Sequence, residues 1–145
     1  MSFTTCSKDY IPTYVDSVFE HVQDAENVLG VYDESVQEAL DSDQVNTIPQ
    51  LASNATVAMT IKLERIQELP TNEDVYTLQQ SAINYIQAMF DMIKAEEAYA
   101  RYGEGTTLEE AREMDSHNIE ARNKLEQKHK DLLEAREAVE TKIEK

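Results

Sequence analysis

Apolar residues recur near the start of the chain at Val15, Val18, Val22, Ala25, Leu29, Tyr32, Val36 and Ala39, separated alternately by three and four positions. That spacing is a heptad seam, one stripe along one long helix. Phe19 and Val28 widen it. Pro12 suits the first helical turn, where its missing N–H costs nothing. The pattern predicts a helix over residues 12–41. Gly30 falls inside it, at a cost of about 1 kcal/mol against alanine, and is expected to permit a bend or a close approach by another helix.

Asp41-Ser42-Asp43 reads as a turn, with Pro49 opening a second helix over 47–69. Its stripe is Leu51, Ala52, Ala55, Ala58, Met59, Leu63, Ile66 and Leu69, an alanine-rich face that a neighbour can approach closely. Pro70 stops it. Thr71 with Asp74 three positions on resembles a capping box. It predicts a third helix over 72–102 on Val75, Leu78, Ala82, Tyr85, Ile86, Met89, Phe90, Ile93 and Tyr99. Gly103-Glu104-Gly105 breaks the pattern. Thr107 with Glu110 is a capping-box signal for a fourth helix over 107–143. That helix carries Leu108, Ala111, Met114, Ala121, Leu125, Leu132, Ala135, Val139 and Ile143, and its apolar face weakens near Asn118 and His129.

Short links force neighbouring helices to run antiparallel. The expected fold is therefore all-α, an up-down-up-down antiparallel four-helix bundle spanning residues 12–145 as one domain, with 1–11 a flexible tether. The competing arrangement is an elongated three-helix packing, with the first helix partly free or docked on a second copy.

Composition agrees with long helices: of 145 residues only three are glycine and three proline. A net charge of -16 argues against nucleic-acid binding, which needs basic patches on the phosphates. No run approaches the roughly 18 apolar residues of a membrane span. The charge is uneven. Residues 9–61 hold ten acidic residues and no lysine or arginine, whereas the fourth helix is mixed. Asp16, Glu20, Asp24, Asp33, Glu34 and Glu38 on the first helix are the candidate partner-binding residues. The alternative for them is a solvated face, or pairing with basic residues of helix four.

Candidate chemistry is sparse. Glu126 and His129 stand at i and i+3 and can face one metal ion. A dinuclear centre needs a second such pair and two further inward glutamates. Val18 and Met114 occupy the matching positions before His21 and His117, and Glu20 and Glu96 supply carboxylates only by coincidence. No cofactor is expected, and no nucleophile joins a histidine, so the chain reads as non-enzymatic. Tyr32 and Tyr85 fall on the apolar stripes. Tyr99 and Tyr102, with Tyr10 or Tyr14, are candidates for an aromatic rim at one bundle end. Asn54-Ala55-Thr56 matches the Asn-x-Thr acceptor pattern inside a predicted helix, where it carries little weight.

The single cysteine, Cys6, lies outside every apolar stripe. Cys6-Ser7-Lys8-Asp9, preceded by the small residues Thr4-Thr5, resembles the start of a mature bacterial lipoprotein, especially those of the Bacteroides group. In that class a signal peptidase cuts immediately before the cysteine, which receives lipid, and a polar tether follows. The resemblance implies lipid attachment at Cys6 and a place in the cell envelope. The expected function is then a non-enzymatic envelope-associated bundle binding another protein or an envelope component. The alternatives are a cytoplasmic or secreted interaction protein that dimerises through a helical face, with Cys6 incidental, and a bundle binding a small ligand or metal.

Overall fold

The computed structural model describes residues 9–100 and 106–143. Four helices carry them: α1 (Ile11–Asp41), α2 (Ile48–Glu68), α3 (Tyr76–Ala100) and α4 (Leu108–Ile143), with a single 3-10 turn at Val45–Thr47 before α2. Among the described residues there is no strand. The protein is all-α with helix-on-helix packing.

The heptad seam of α1 is buried almost as the spacing predicts. Val15, Val18, Val22, Ala25, Tyr32, Val36 and Ala39 lie in the core, joined by Ile11 and Tyr14, while Leu29 is half-buried. α1 is thus a full member of the core, not a free arm. Gly30 neither interrupts it nor admits a neighbour. The helix continues through it, and a Cβ placed there would meet nothing within 4 Å.

α1 ends in a Schellman motif. Gln44 N–H donates to Ala39 O at 2.7 Å and Asp43 N–H to Leu40 O at 3.5 Å. Asp43 takes the left-handed position at φ 57° where glycine is usual. α2 stops at Glu68 because Leu69, preceding Pro70, is extended at ψ 133°. The helix end is then capped from a distance. Gln79, only 4% exposed, donates from Nε2 to Ile66 O at 3.0 Å and Leu69 O at 3.1 Å.

α3 begins at Tyr76, four residues later than the capping-box reading of Thr71 and Asp74 places it. The side chain that acts is Asn72. Its Oδ1 accepts Asp74 N–H at 2.9 Å, and its carbonyl accepts the N–H groups of Val75 and Tyr76. A closed Asx turn competes there with a helical start. By contrast, the capping box of α4 is reciprocal: Glu110 N–H donates to Thr107 Oγ1 at 3.1 Å, and Thr107 N–H to Glu110 Oε2 at 3.3 Å.

α3 is the most enclosed helix. Beyond its predicted stripe it buries Gln79, Ile83, Ala88, Met92 and Ala95, because it touches α1, α2 and α4. α4 packs chiefly on α3 and, among its described side chains, buries only Ala121, Leu132, Ala135 and Val139; Leu108, expected on its apolar face, is exposed. Register marks tie the helices together. Tyr10 meets Asn72, Glu26 meets Tyr85 and Tyr32 meets Ile93, so positions along α1 and α3 advance together.

Candidate functional site

The six acidic candidates of α1 divide in the structure. Asp16 and Glu34 are 18 residues apart, five turns of about 3.6 residues, and so are Glu20 and Glu38. These four share one exposed side as two i, i+4 pairs about 27 Å apart along the axis. Asp24 and Asp33 turn elsewhere. Asp24 pairs with Lys62 of α2 at 3.3 Å. Asp33 is directed at α3 and α4, toward Glu96 and Arg122.

Asp33 and Glu96 stand on the wall of a cleft of about 630 Å³. It opens between the C-terminal halves of α1 and α3 and the N-terminal half of α4, with Val36 and Ala100 in its floor and Arg122, Asp115 and Asn118 opposite. Burial pushes Glu96 up to about 8, helped by a hydrogen bond and the negative charge from Asp33, while Arg122 draws it back down. The Glu96 carboxyl therefore keeps its proton at neutral pH and directs it to Asp33. Burial, and then the carboxyl groups of Glu96, Glu97 and Asp33, holds the Tyr32 phenol well above the usual tyrosine range. Its hydroxyl donates to Ile93 O at 3.3 Å. Sequence reasoning treated Glu96 as a stray carboxylate. Its pairing with Asp33, 63 positions earlier, leaves no local signal.

Complementary pairing of α1 with α4 takes a different form from the one expected. The inter-helix ion pairs described join Asp24 to Lys62 and Asp91 to Lys124, the latter at 2.7 Å between α3 and α4. α4 meets α1 through Arg136, whose guanidinium lies 4.5 Å from the centre of the Phe19 ring.

Glu126 is exposed on α4, while the half-buried ring of His129 stacks on Tyr85 with centroids 5.0 Å apart. Among the described residues no group of three or more His, Cys, Asp or Glu side chains could hold a metal ion. Tyr85 instead donates to Glu26 Oε2 at 2.9 Å.

The aromatic rim does not assemble. Tyr10 and Tyr14 meet edge to face, with centroids 6.2 Å apart, and Asn72 donates to the Tyr10 hydroxyl. They sit at the start of α3, whereas Tyr99 lies near its end, about 35 Å further along the axis. Cys6 and Tyr102 lie outside the described residues.

A second surface feature lay outside the periodic reading. Between α1 and α2 runs a groove of about 410 Å³ lined by Val28, Val31, Leu51, Ala55 and Ala58. Val31 is 63% exposed, and Val57 and Ile61 of α2 are also exposed. The hint in the sequence was Val31 itself, an apolar residue off the heptad seam. The chain matches no protein-family model, and no curated protein or solved structure matches it.

Proposed function

We propose that the protein is a non-enzymatic interaction bundle that presents the acidic side of α1 to a basic protein partner. The observation that carries this reading is the placement of Asp16, Glu20, Glu34 and Glu38 on one exposed side, within residues 9–61 that contain no lysine or arginine. Folding does not need this concentration of acids. It leaves like charges uncompensated along a helix, and it supplies the field that steers an oppositely charged partner into contact.

The bundle runs up-down-up-down in this reading. Support comes from pairings whose numbers change in opposite directions in adjacent helices: Asp91 with Lys124 and Tyr85 with His129 for α3 and α4, Phe19 with Arg136 and Asp33 near Arg122 for α1 and α4. We also propose that Cys6 carries lipid and places the bundle at a bacterial cell envelope. The support is the Cys6-Ser7-Lys8-Asp9 sequence followed by a helical domain from Ile11. No described helix is long and apolar enough to cross a membrane, so anchoring would rest on the acyl chains.

Two experiments test these statements. An oligolysine peptide titrated into the protein at low salt should bind less tightly to the Asp16→Asn, Glu20→Gln, Glu34→Gln, Glu38→Gln variant than to one neutralised equally on α4 (Glu109→Gln, Glu113→Gln, Glu126→Gln, Glu137→Gln). Equal weakening would remove the special role of α1. For the anchor, the product of the full native gene is fractionated and its intact mass measured. A diacyl or triacyl adduct on Cys6 in the membrane fraction is expected, and an unmodified soluble chain would end the lipoprotein reading.

A further inference from the structure

We propose that the groove between α1 and α2 seats a short amphipathic helix of a basic partner, its apolar face on Val31 and Ala58 and its lysines or arginines on the two acidic pairs of α1. This inference rests on the docking function assigned to α1 and names the partner's chemistry.

The groove is apolar where it is open. Val28 and Val31 form one wall, Leu51, Ala55 and Ala58 the other. The alanines are what make it a groove: a larger side chain at 55 or 58 would fill the space between the helices. Residues 28–35 cover about 10 Å of axis, two turns of an incoming helix and room for apolar residues at i, i+4 and i+7. Charge selects the occupant. The groove lies wholly within the base-free segment 9–61. Glu34 stands one turn beyond Val31 and Glu38 one turn further, while Glu20 and Asp16 lie beyond the other end. A helix seated on Val31 therefore has carboxylates past each of its ends and no cation on α1 to repel it. An acidic helix would meet like charge at both, and so would a second copy of this chain docking through its own α1.

The strongest alternative feature, the Asp33–Glu96 cleft, is a carboxyl cluster already offset by Arg122. Nothing in it points to a ligand.

The test uses the full chain and three synthetic 15-residue peptides: a Leu/Lys helix with leucines on one face, the same composition with leucines scattered round the helix, and a Leu/Glu analogue of the first. Binding is measured by fluorescence anisotropy, and the site is mapped by amide chemical shifts. The amphipathic Leu/Lys peptide should bind tightest, weaken with salt, and shift amides in 27–35 and 51–58. Val31→Ser, at an exposed position, should keep the melting temperature and weaken binding about tenfold, because apolar contact is lost. Equal binding of the scattered peptide, with Val31→Ser silent, would overturn the groove while leaving charge-driven docking on α1 intact. Binding unaffected by neutralising Asp16, Glu20, Glu34 and Glu38 would overturn both. Preferential binding of the Leu/Glu analogue, or self-association of the free protein through the groove residues, would replace the basic helix with another occupant.

Discussion

The Tyr85 hydroxyl donates a 2.9 Å hydrogen bond to Glu26 Oε2, and the other side of the same residue stacks on His129. One side chain of α3 thereby touches both α1 and α4 by polar and aromatic contact. Burial, and then the Glu26 charge, keeps the phenol protonated well beyond the usual tyrosine range, so the bond is held across physiological pH. Tyr85→Phe is expected to cost about 1–2 kcal/mol, the range for a hydrogen bond to a charged group that stays partly solvated. A double-mutant cycle with Glu26→Gln, read by urea unfolding, should recover a coupling of similar size. Additive effects would mean the contact contributes nothing to stability.

Gln79 gives a sharper test of a buried polar contact. Gln79→Leu fits an apolar site but strands the carbonyl of Leu69 and leaves that of Ile66 with the Leu69 N–H alone. Leaving such groups unpaired costs about 1–3 kcal/mol. Chemical denaturation should show a loss in that range, and amide exchange should accelerate in the last turn of α2.

Two valines of α1 separate core from surface. Val22 is 2% exposed and Val31 63%. Val22→Asp buries a charge without a partner and should cost about 3 kcal/mol or more. Val31→Asp should change stability by less than about 0.5 kcal/mol. Similar melting temperatures for the two variants would mean that α1 is rotated from the face described.

Gly30 offers a gain. It lies exposed in mid-helix with no neighbour against a new Cβ. Gly30→Ala should raise stability by about 0.5–1 kcal/mol. A thermal melt checks the sign, and destabilisation would show that the glycine serves a contact absent from this structure.

Glu96 sets a pH dependence. Its ordinary value is 4.5 and its value in the fold about 8. Between these values the folded chain holds a proton that the unfolded chain has released. The stabilisation is thus full below about 4.5 and is lost as pH rises through about 8. Urea midpoints of the wild type should decline from pH 5 to pH 9 more steeply than those of Glu96→Gln, whose amide retains a donor toward Asp33. Parallel profiles would mean that the Asp33–Glu96 contact does not form in solution.

Local pattern determined the helices. The three-four spacing from Val15 to Ala39, Pro70 after α2 and the Thr107–Glu110 box act over at most a few turns, so sequence alone can show them. It starts α3 near 72, four residues before Tyr76, where the helix begins once the Asn72 side chain and carbonyl have taken the N–H groups of Asp74, Val75 and Tyr76 in a turn. It placed Tyr10 and Tyr99 together, although the shared advance of α1 and α3 keeps them at opposite ends. Helical phase already turns Asp24 and Asp33 away from the side that holds Asp16; tertiary structure alone decided what they meet there, Lys62 of α2 for Asp24 and Glu96 of α3 for Asp33. It alone made Ala55 and Ala58 part of one wall of an open groove instead of a sealed interface. Helical periodicity fixes the direction of each side chain from its own axis, but the neighbour it meets depends on the relative rotation and register of two helices, and that is set by the whole core.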